Sequence, residues 1–98
     1  MRLENKIAIV TGSARGIGFA IAEQIAHEGA TVIIADVNPE AVDQAVSRIK
    51  EQNYLATGYK LDVTNSSEVE AVFKQVKETF GSIDILVNNA GITKDNLI

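Results

Sequence analysis

Short apolar runs rich in β-branched residues alternate along this chain with segments of helical periodicity. The runs are residues 7–10, 32–35 and 85–87, with a weaker one at 54–61. Strands that are apolar throughout are typical of a parallel sheet covered on both faces. Because parallel strands need a crossover between them, the alternation predicts the order β-α-β-α-β-α-β and a three-layer, doubly wound α/β/α architecture. The chain has the size of one domain, so we assign residues 1–98 to a single unit.

The segments between the runs carry apolar residues at helical spacing, which predicts that each helix places one stripe on the sheet. The three predicted stripes are Ile17, Ile21 and Ile25; then Val42, Ala45, Val46 and Ile49; then Val69, Val72, Phe73 and Val76. Asn38 before Pro39 predicts the start of the second helix. Ser67 with Glu70 predicts a capping box at the start of the third, and Gly81 predicts its left-handed end.

Composition narrows the possible functions. The net charge is −4 and the basic residues are scattered, which disfavours a nucleic-acid-binding surface. No apolar run approaches the ~20 residues of a membrane span, and the first residues lack the apolar segment of a signal peptide. With no cysteine there is no disulfide or thiolate metal site, and no cluster of His, Asp and Glu indicates a metal. We expect a cytoplasmic protein that binds neither membrane nor nucleic acid.

Residues 11–18 read TGSARGIG, where the first predicted strand gives way to a helix. A helix N-terminus offers unpaired N–H groups and partial positive charge, which suit a phosphate. Gly12 would permit a tight turn, Gly16 the close approach of a pyrophosphate, and Gly18 close packing of helix on strand. For the loop alone, a tight turn without a ligand is an equal alternative. The other loop residues that we assign to the ligand are Ser13, Arg15 and Ile17.

Asp36 ends the second apolar run, 18 residues after Gly18. A carboxylate there can accept hydrogen bonds from adenosine ribose hydroxyls and repel a 2′-phosphate, so Asp36, with the adjoining Val37, favours NAD over NADP. The competing interpretation makes Asp36 a cap of the second helix, a position that Asn38 fills better. Arg15 keeps NADP open, because a guanidinium in this loop could meet a 2′-phosphate.

Polar residues also follow the third and fourth runs. Asp62 and Val63 suit an adenine, which would pack on the apolar side chain and hydrogen-bond at its edge; a polar strand end before a helix is the equal alternative. Residues 88–91, NNAG, form a compact turn that could tie Thr11 to the sheet and line a cofactor cleft. From this turn we assign Asn89, Ala90 and Gly91 to the cofactor.

Together these motifs resemble the short-chain dehydrogenase/reductase family over the whole chain. They are TGxxxGxG at 11–18, Asp36, Asp62-Val63 and NNAG at 88–91, in that order. The opening LENKIAIVTGSARGIG and the ending GITKDNLI look most like the family's 3-oxoacyl-(acyl-carrier-protein) reductases. Relatives that act on sugars, steroids or polyols share much of this half.

The resemblance implies a Rossmann fold of strand order 3-2-1-4 and hydride transfer between a nicotinamide dinucleotide and a carbonyl or alcohol. The substrate would be a 3-oxoacyl group or a related carbonyl, as in fatty acid biosynthesis. In the family the glycine loop holds the pyrophosphate, the acid after strand two sets coenzyme choice, the Asp-Val pair contacts adenine, and NNAG supports sheet and cofactor. The oxoacyl reductases often prefer NADPH, so Asp36 departs from that subgroup.

The family's catalytic asparagine, serine and Tyr-x-x-x-Lys lie beyond Ile98, and neither Tyr54 nor Tyr59 has a lysine four residues later. Ketone reduction needs a proton donor for the developing alkoxide, and a tyrosine serves only when a nearby cation lowers its pKa. We therefore assign no catalytic residue and expect the cofactor-binding half of an oxidoreductase, truncated after strand four and inactive alone. His27 is expected to be a solvated surface residue.

Strand four would lie at an exposed edge of the sheet. Unpaired N–H and C=O groups beside apolar side chains favour pairing with another chain, so we expect a homo-oligomer through this edge. Two alternatives are a fragment that binds NAD or adenosine without catalysis and a purely structural fragment. A flavodoxin-like protein binding FMN is a further alternative, disfavoured by Asp36 and Asn88-Asn89.

Overall fold

The computed structural model describes residues 2–90, which form one parallel sheet flanked by helices. The strands are β1 (Ile7–Thr11), β2 (Thr31–Asp36), β3 (Ala56–Lys60) and β4 (Ile85–Val87). The helices are α1 (Gly16–His27), α2 (Pro39–Lys50) and α3 (Ser66–Phe80). Each predicted apolar run overlaps a strand, and the predicted alternation is confirmed.

The sheet has the order β3-β2-β1-β4 with every pair parallel, which confirms the predicted α/β class and strand order. The central strands pair from Ile7 with Thr31 to Thr11 with Ala35. Both central strands are covered on two faces, which explains why their runs are apolar throughout. All the strands point the same way, so the loops after β1, β2, β3 and β4 meet at one edge of the sheet.

The two faces of the sheet bury separate cores. Ala8 and Val10 pack with α1 and α2 on one face, whereas Ile7 and Ile9 pack with α3 on the other. The predicted stripes of α2 and α3 point into these cores. Their buried members are Val42, Ala45, Ile49, Val72 and Val76.

The predicted stripe of α1 is wrong at its first residue. Ile17 is 76% exposed, and Ile21 and Ile25 only flank the core. The face buried against the sheet consists of Gly18, Phe19, Ala22 and Ala26. This rotation follows from close packing: Gly18 faces the backbone of Gly12, and successive helical residues lie about 100° apart, so Ile17 is turned outward.

The predicted capping box of α3 is also misplaced. The N-cap is Asn65, whose Oδ1 accepts the N–H of Glu68 at 3.1 Å, while the Asn65 amide donates to the Glu68 carboxylate at 3.3 Å. Asn65 to Glu68 repeats the spacing of the predicted pair, Ser67 to Glu70, two residues earlier. The predicted end is confirmed, because α3 stops at Gly81 in the left-handed conformation (φ 89°).

Asp84 fastens β4 to the start of β1. Its backbone N–H donates to the Ile7 carbonyl at 2.8 Å, and its Oδ2 accepts the Ile7 N–H, also at 2.8 Å. The Ser82 hydroxyl donates to the same oxygen at 3.0 Å. These hydrogen bonds, that from Ile7 first, lower the pKa of Asp84 from its ordinary value.

Candidate functional site

The glycine loop between β1 and α1 has the backbone that its sequence predicts. Gly12 (φ 61°) makes the turn, and a Cβ there would lie 3.0 Å from the Cα of Ala90. A Cβ on Gly18 would clash with the Gly12 carbonyl and lie 2.6 Å from Nδ2 of Asn89. Gly16 (φ 63°) has no atom within 4 Å of that position, so its backbone faces open space. The loop is therefore closed behind Gly12 and Gly18 and open at Gly16.

The N-terminus of α1 lacks the side-chain cap that the other helices of residues 2–90 possess. Arg15 occupies its N-cap position in an extended conformation without a capping hydrogen bond, and its first turn holds no acidic residue. By contrast, α2 is capped by Asn38 and α3 by Asn65, each with a glutamate in the first turn. The N–H groups at the start of α1 thus keep the positive potential that attracts an anion.

The Asp36 side chain binds the glycine loop rather than the start of α2. Its Oδ2 accepts the N–H of Ala14 at 3.1 Å, and its Oδ1 accepts the N–H of Val37 at 2.7 Å. Asn38 caps α2 instead, accepting the N–H of Ala41 at 3.1 Å. The capping interpretation of Asp36 is therefore wrong. Val37 is 53% exposed beside the carboxylate.

Two hydroxyls support the loop, and only that of Thr11 was expected from the sequence to have a structural role. Ser13 is completely buried; its Oγ donates to the Val10 carbonyl at 2.6 Å and accepts the Ala35 N–H at 3.1 Å. Thr11 Oγ1 accepts the N–H of Ala90 at 3.0 Å and lies 3.2 Å from Oδ1 of Asn88. The Ser13 side chain is occupied by the protein's own backbone, so its assignment to a ligand stays a prediction.

The turn after β4 closes the loop from the other side. Asn89 Nδ2 donates to the Gly12 carbonyl at 3.1 Å, and Thr11 binds Asn88 and Ala90 as described. The predicted tie between this turn and Thr11 is confirmed. Gly91, the last residue assigned to the cofactor, lies outside the described residues.

Asp62 and Val63 follow β3 at the same edge of the sheet as Asp36, because the Leu61 N–H donates to the Asp36 carbonyl at 2.8 Å. Asp62 Oδ1 accepts the Thr64 hydroxyl at 2.6 Å and the Thr64 N–H at 2.9 Å. These two hydrogen bonds, with a smaller effect of Lys60, lower the pKa of Asp62 and keep it ionised. Asp62 therefore shapes the turn before α3, as the polar-end alternative held, while its second oxygen makes no hydrogen bond among the described residues.

An apolar cleft of about 230 Å³ opens beside this turn. Its lining residues are Thr11, Leu61, Val63, Val69, Phe73, Leu86 and Asn88. Val63 thus offers an apolar surface next to the Asp62 carboxylate, the combination that the sequence predicts for an adenine.

The histidine and the two tyrosines make no hydrogen bond to the candidate site among the described residues. His27 is exposed at the end of α1, as predicted, and its Nδ1 lies 2.6 Å from the Tyr54 hydroxyl, a partner that the sequence did not indicate. Tyr59 packs against the core beneath α3. Within residues 2–90, no group of three His, Cys, Asp or Glu residues is placed to hold a metal, and no helix is long and apolar enough to cross a membrane.

A parallel sheet with a glycine loop, a helix N-terminus without a side-chain cap and an acid at the end of β2 is typical of dinucleotide-binding α/β proteins. The chain belongs to the short-chain dehydrogenase family, whose model matches residues 6–98. That family implies an NAD(P) cofactor.

The relatives differ in substrate. The chain is 51% identical over 98 residues to 3-oxoacyl-[acyl-carrier-protein] reductase FabG of Vibrio cholerae, covering 100% of this chain and 39% of the relative. It is 50% identical over 92 residues to galactitol 2-dehydrogenase of Agrobacterium fabrum, covering 94% and 35%. The crystal structure of hydroxysteroid dehydrogenase from Escherichia coli superimposes with a TM-score of 0.86 at 37% identity, covering 89% of this chain and 37% of that one. The chain thus spans well under half the length of these relatives.

Proposed function

We propose that this chain is the coenzyme-binding part of an NAD(P)-dependent oxidoreductase. The observation that carries the proposal is the hydrogen bond from the Ala14 N–H to Asp36, which joins two separate sequence motifs into one site. In this site the N–H groups of Gly16, Ile17 and Gly18 would hold the pyrophosphate, because no side chain caps them.

The rest of the coenzyme follows the sheet edge from this point. Asp36 and Val37 would hold the adenosine ribose, and Asp62 with Val63 would hold the adenine. Asn89 and Ala90 would support the loop from behind. When bound, the nicotinamide coenzyme supplies a hydride acceptor or donor; the residues of this chain bind and orient it.

Coenzyme choice in this proposal is NAD. The Asp36 carboxylate is fixed by Ala14 and Val37, so a 2′-phosphate placed at the ribose would meet a negative charge held at short range. Arg15 is exposed in the same loop and is the group that would favour NADP.

For the whole protein we propose reduction of a 3-oxoacyl group or a related carbonyl in the cytoplasm. The similarity to FabG supports this substrate class, whereas the similarity to galactitol 2-dehydrogenase supports a polyol instead. For the 98-residue chain alone we propose coenzyme binding without turnover. Loss of NADH absorbance on adding a carbonyl substrate, above a protein-free background, would show that the isolated chain does catalyse.

Calorimetric titration of the chain with NAD, NADP and ADP tests the binding proposal. We expect Asp36→Ala to weaken NAD binding about tenfold or more, since a hydrogen bond to a charged group contributes about 1.5–3 kcal/mol. NADP binding should be unchanged or stronger, because the charge that repels the 2′-phosphate is removed. Asp43→Ala, which removes an exposed carboxylate from α2, is the matched control. Similar affinities for NAD and ADP indicate that only the adenosine half is bound; no binding of any of the three by the wild-type chain leaves the structural-fragment alternative.

A homo-oligomer through β4 is a second, independent proposal. β4 pairs only with β1 among the described strands, and Leu86 at its centre is 50% exposed. An apolar edge of this kind is a template for pairing with another strand.

A further inference from the structure

Ser13 connects three parts of the candidate site from a position that solvent does not reach. Its side chain is completely buried. The hydroxyl donates to the Val10 carbonyl at 2.6 Å and accepts the Ala35 N–H at 3.1 Å. Its backbone N–H donates to the Ala35 carbonyl at 3.3 Å. One residue thus connects the end of β1, the glycine loop and the end of β2.

We propose that Ser13 is a positioning residue for coenzyme choice, holding the Asp36 carboxylate at a fixed place relative to the N-terminus of α1. The inference rests on the proposed function, because it concerns how strongly the site prefers a 2′-hydroxyl to a 2′-phosphate. Ser13 itself touches no coenzyme in this proposal.

The physical connection runs through two adjacent links between the loop and β2. The paired positions of β1 and β2 end at Thr11 with Ala35. Beyond that point Ser13 binds Ala35, and the next residue, Ala14, binds the carboxylate of Asp36. The first link is buried and the second lies at the half-buried edge, so the first fixes the geometry of the second.

The effect of losing the Ser13 hydroxyl should be local. Five paired positions already hold β1 to β2 without it. What the hydroxyl adds is the register between residues 13–14 and 35–36. Without that register, the Asp36 carboxylate gains freedom to turn from the ribose position and from an incoming 2′-phosphate.

The test compares the full chain with Ser13→Ala and Ser13→Cys by calorimetric titration with NAD and with NADP. We expect Ser13→Ala to weaken NAD binding by about three- to tenfold, the range for one lost hydrogen bond, and to change NADP binding less than about twofold. Ser13→Cys keeps a weak donor in a similar volume, so its ratio of NAD affinity to NADP affinity should fall between those of wild type and Ser13→Ala. This variant decides the matter if Ser13→Ala does not fold. Ser82→Ala is the matched control, because it removes a hydroxyl that donates to a carboxylate at the opposite edge of the sheet.

Amide hydrogen exchange supplies a readout that needs no coenzyme. We expect the Ala14 amide, which donates to Asp36, to exchange at least about threefold faster in Ser13→Ala, while the amides of Ala8 and Val10 are unchanged. If wild-type chain binds neither coenzyme, the proposed function fails and Ala14 exchange alone decides whether Ser13 positions Asp36.

Three results would overturn the inference. The first is an equal weakening of NAD and NADP binding, with the ratio of the two affinities unchanged, which indicates a purely structural role. The second is an unchanged ratio despite faster Ala14 exchange, which separates Asp36 geometry from coenzyme choice. The third is an unchanged exchange rate of Ala14.

Discussion

Two carboxylates connect neighbouring segments of the chain, one at the carboxyl ends of the strands and one at their amino ends. Asp36 binds backbone N–H groups of Ala14 and Val37 at the carboxyl edge, and Asp84 binds the Ile7 N–H at the amino edge. Asp84 is the structural counterpart, because its partners are the first residue of β1 and a neighbouring serine. Its depressed pKa makes that role measurable through pH.

Asp84 should stabilise the fold in its ionised form. Because its pKa is lower in the folded chain than its ordinary value of 3.8, its contribution is present above that value and is lost as the pH falls through the folded pKa. Asp84→Asn should therefore unfold at a lower denaturant concentration than wild type at pH 7, with the difference vanishing in strong acid.

Denaturant unfolding at a series of pH values measures this effect, with Asp43→Asn on the exposed side of α2 as the control. A constant difference between wild type and Asp84→Asn from pH 7 down to pH 2 would contradict it.

Chain spacing identifies some residues of the site and misses others for a physical reason. Gly12, Gly18 and Asp36 could be predicted because each produces a pattern in the nearby sequence. The patterns are a glycine at a tight turn, a glycine where helix packs closely on strand, and an acid at a strand end. The tie between Thr11 and the turn after β4 could also be predicted, whereas Ser13 could not be recognised as a structural residue. A short hydroxyl bonds whichever backbone group the tertiary fold brings near, and the partner of Ser13, Ala35, lies far along the chain.

At the level of elements, periodicity predicted every helix but not every helix face. The stripes of α2 and α3 are correct because those helices pack on the sheet through valine, alanine and isoleucine. On α1 the closest contact is made by Gly18, whose missing Cβ lets the helix approach the Gly12 carbonyl. A hydrophobicity pattern scores glycine as neutral, so it selected Ile17, which the structure turns to solvent.

The start of α3 offers a direct comparison of the predicted and observed caps. Asn65→Ala should lower the free energy of unfolding by about 1 kcal/mol, because the N–H of Glu68 then loses its side-chain acceptor. Ser67→Ala should change it by less than about 0.5 kcal/mol, because Ser67 is exposed within the first turn.

Chemical denaturation of the two single variants gives both values, each helix variant serving as the control for the other. Equal destabilisation, or a larger loss for Ser67→Ala, would restore the capping box that the sequence favoured.

At the scale of the whole molecule, β3 and β4 form the two lateral edges of the sheet within residues 2–90. Both central strands are buried, whereas β4 presents Leu86, half exposed, on an edge paired only with β1 within residues 2–90. We expect the 98-residue chain to self-associate through this edge at micromolar concentration.

Light scattering of wild type and Leu86→Lys tests this expectation. The charged side chain should shift the mass toward the monomer, since an edge lysine resists strand pairing. A monomeric mass for the wild-type chain would contradict association through β4.

The same architecture concentrates four loops at the carboxyl edge, where we propose that the dinucleotide binds. Titrating ¹⁵N-labelled chain with NAD and recording backbone amide shifts locates the ligand residue by residue. The largest shifts should fall on Gly16, Ile17 and Gly18, with further shifts at Val37 and Val63 and none at the opposite edge around Tyr54. Shifts centred on Tyr54 and Leu55, or no shifts at saturating NAD, would contradict a coenzyme site at the glycine loop.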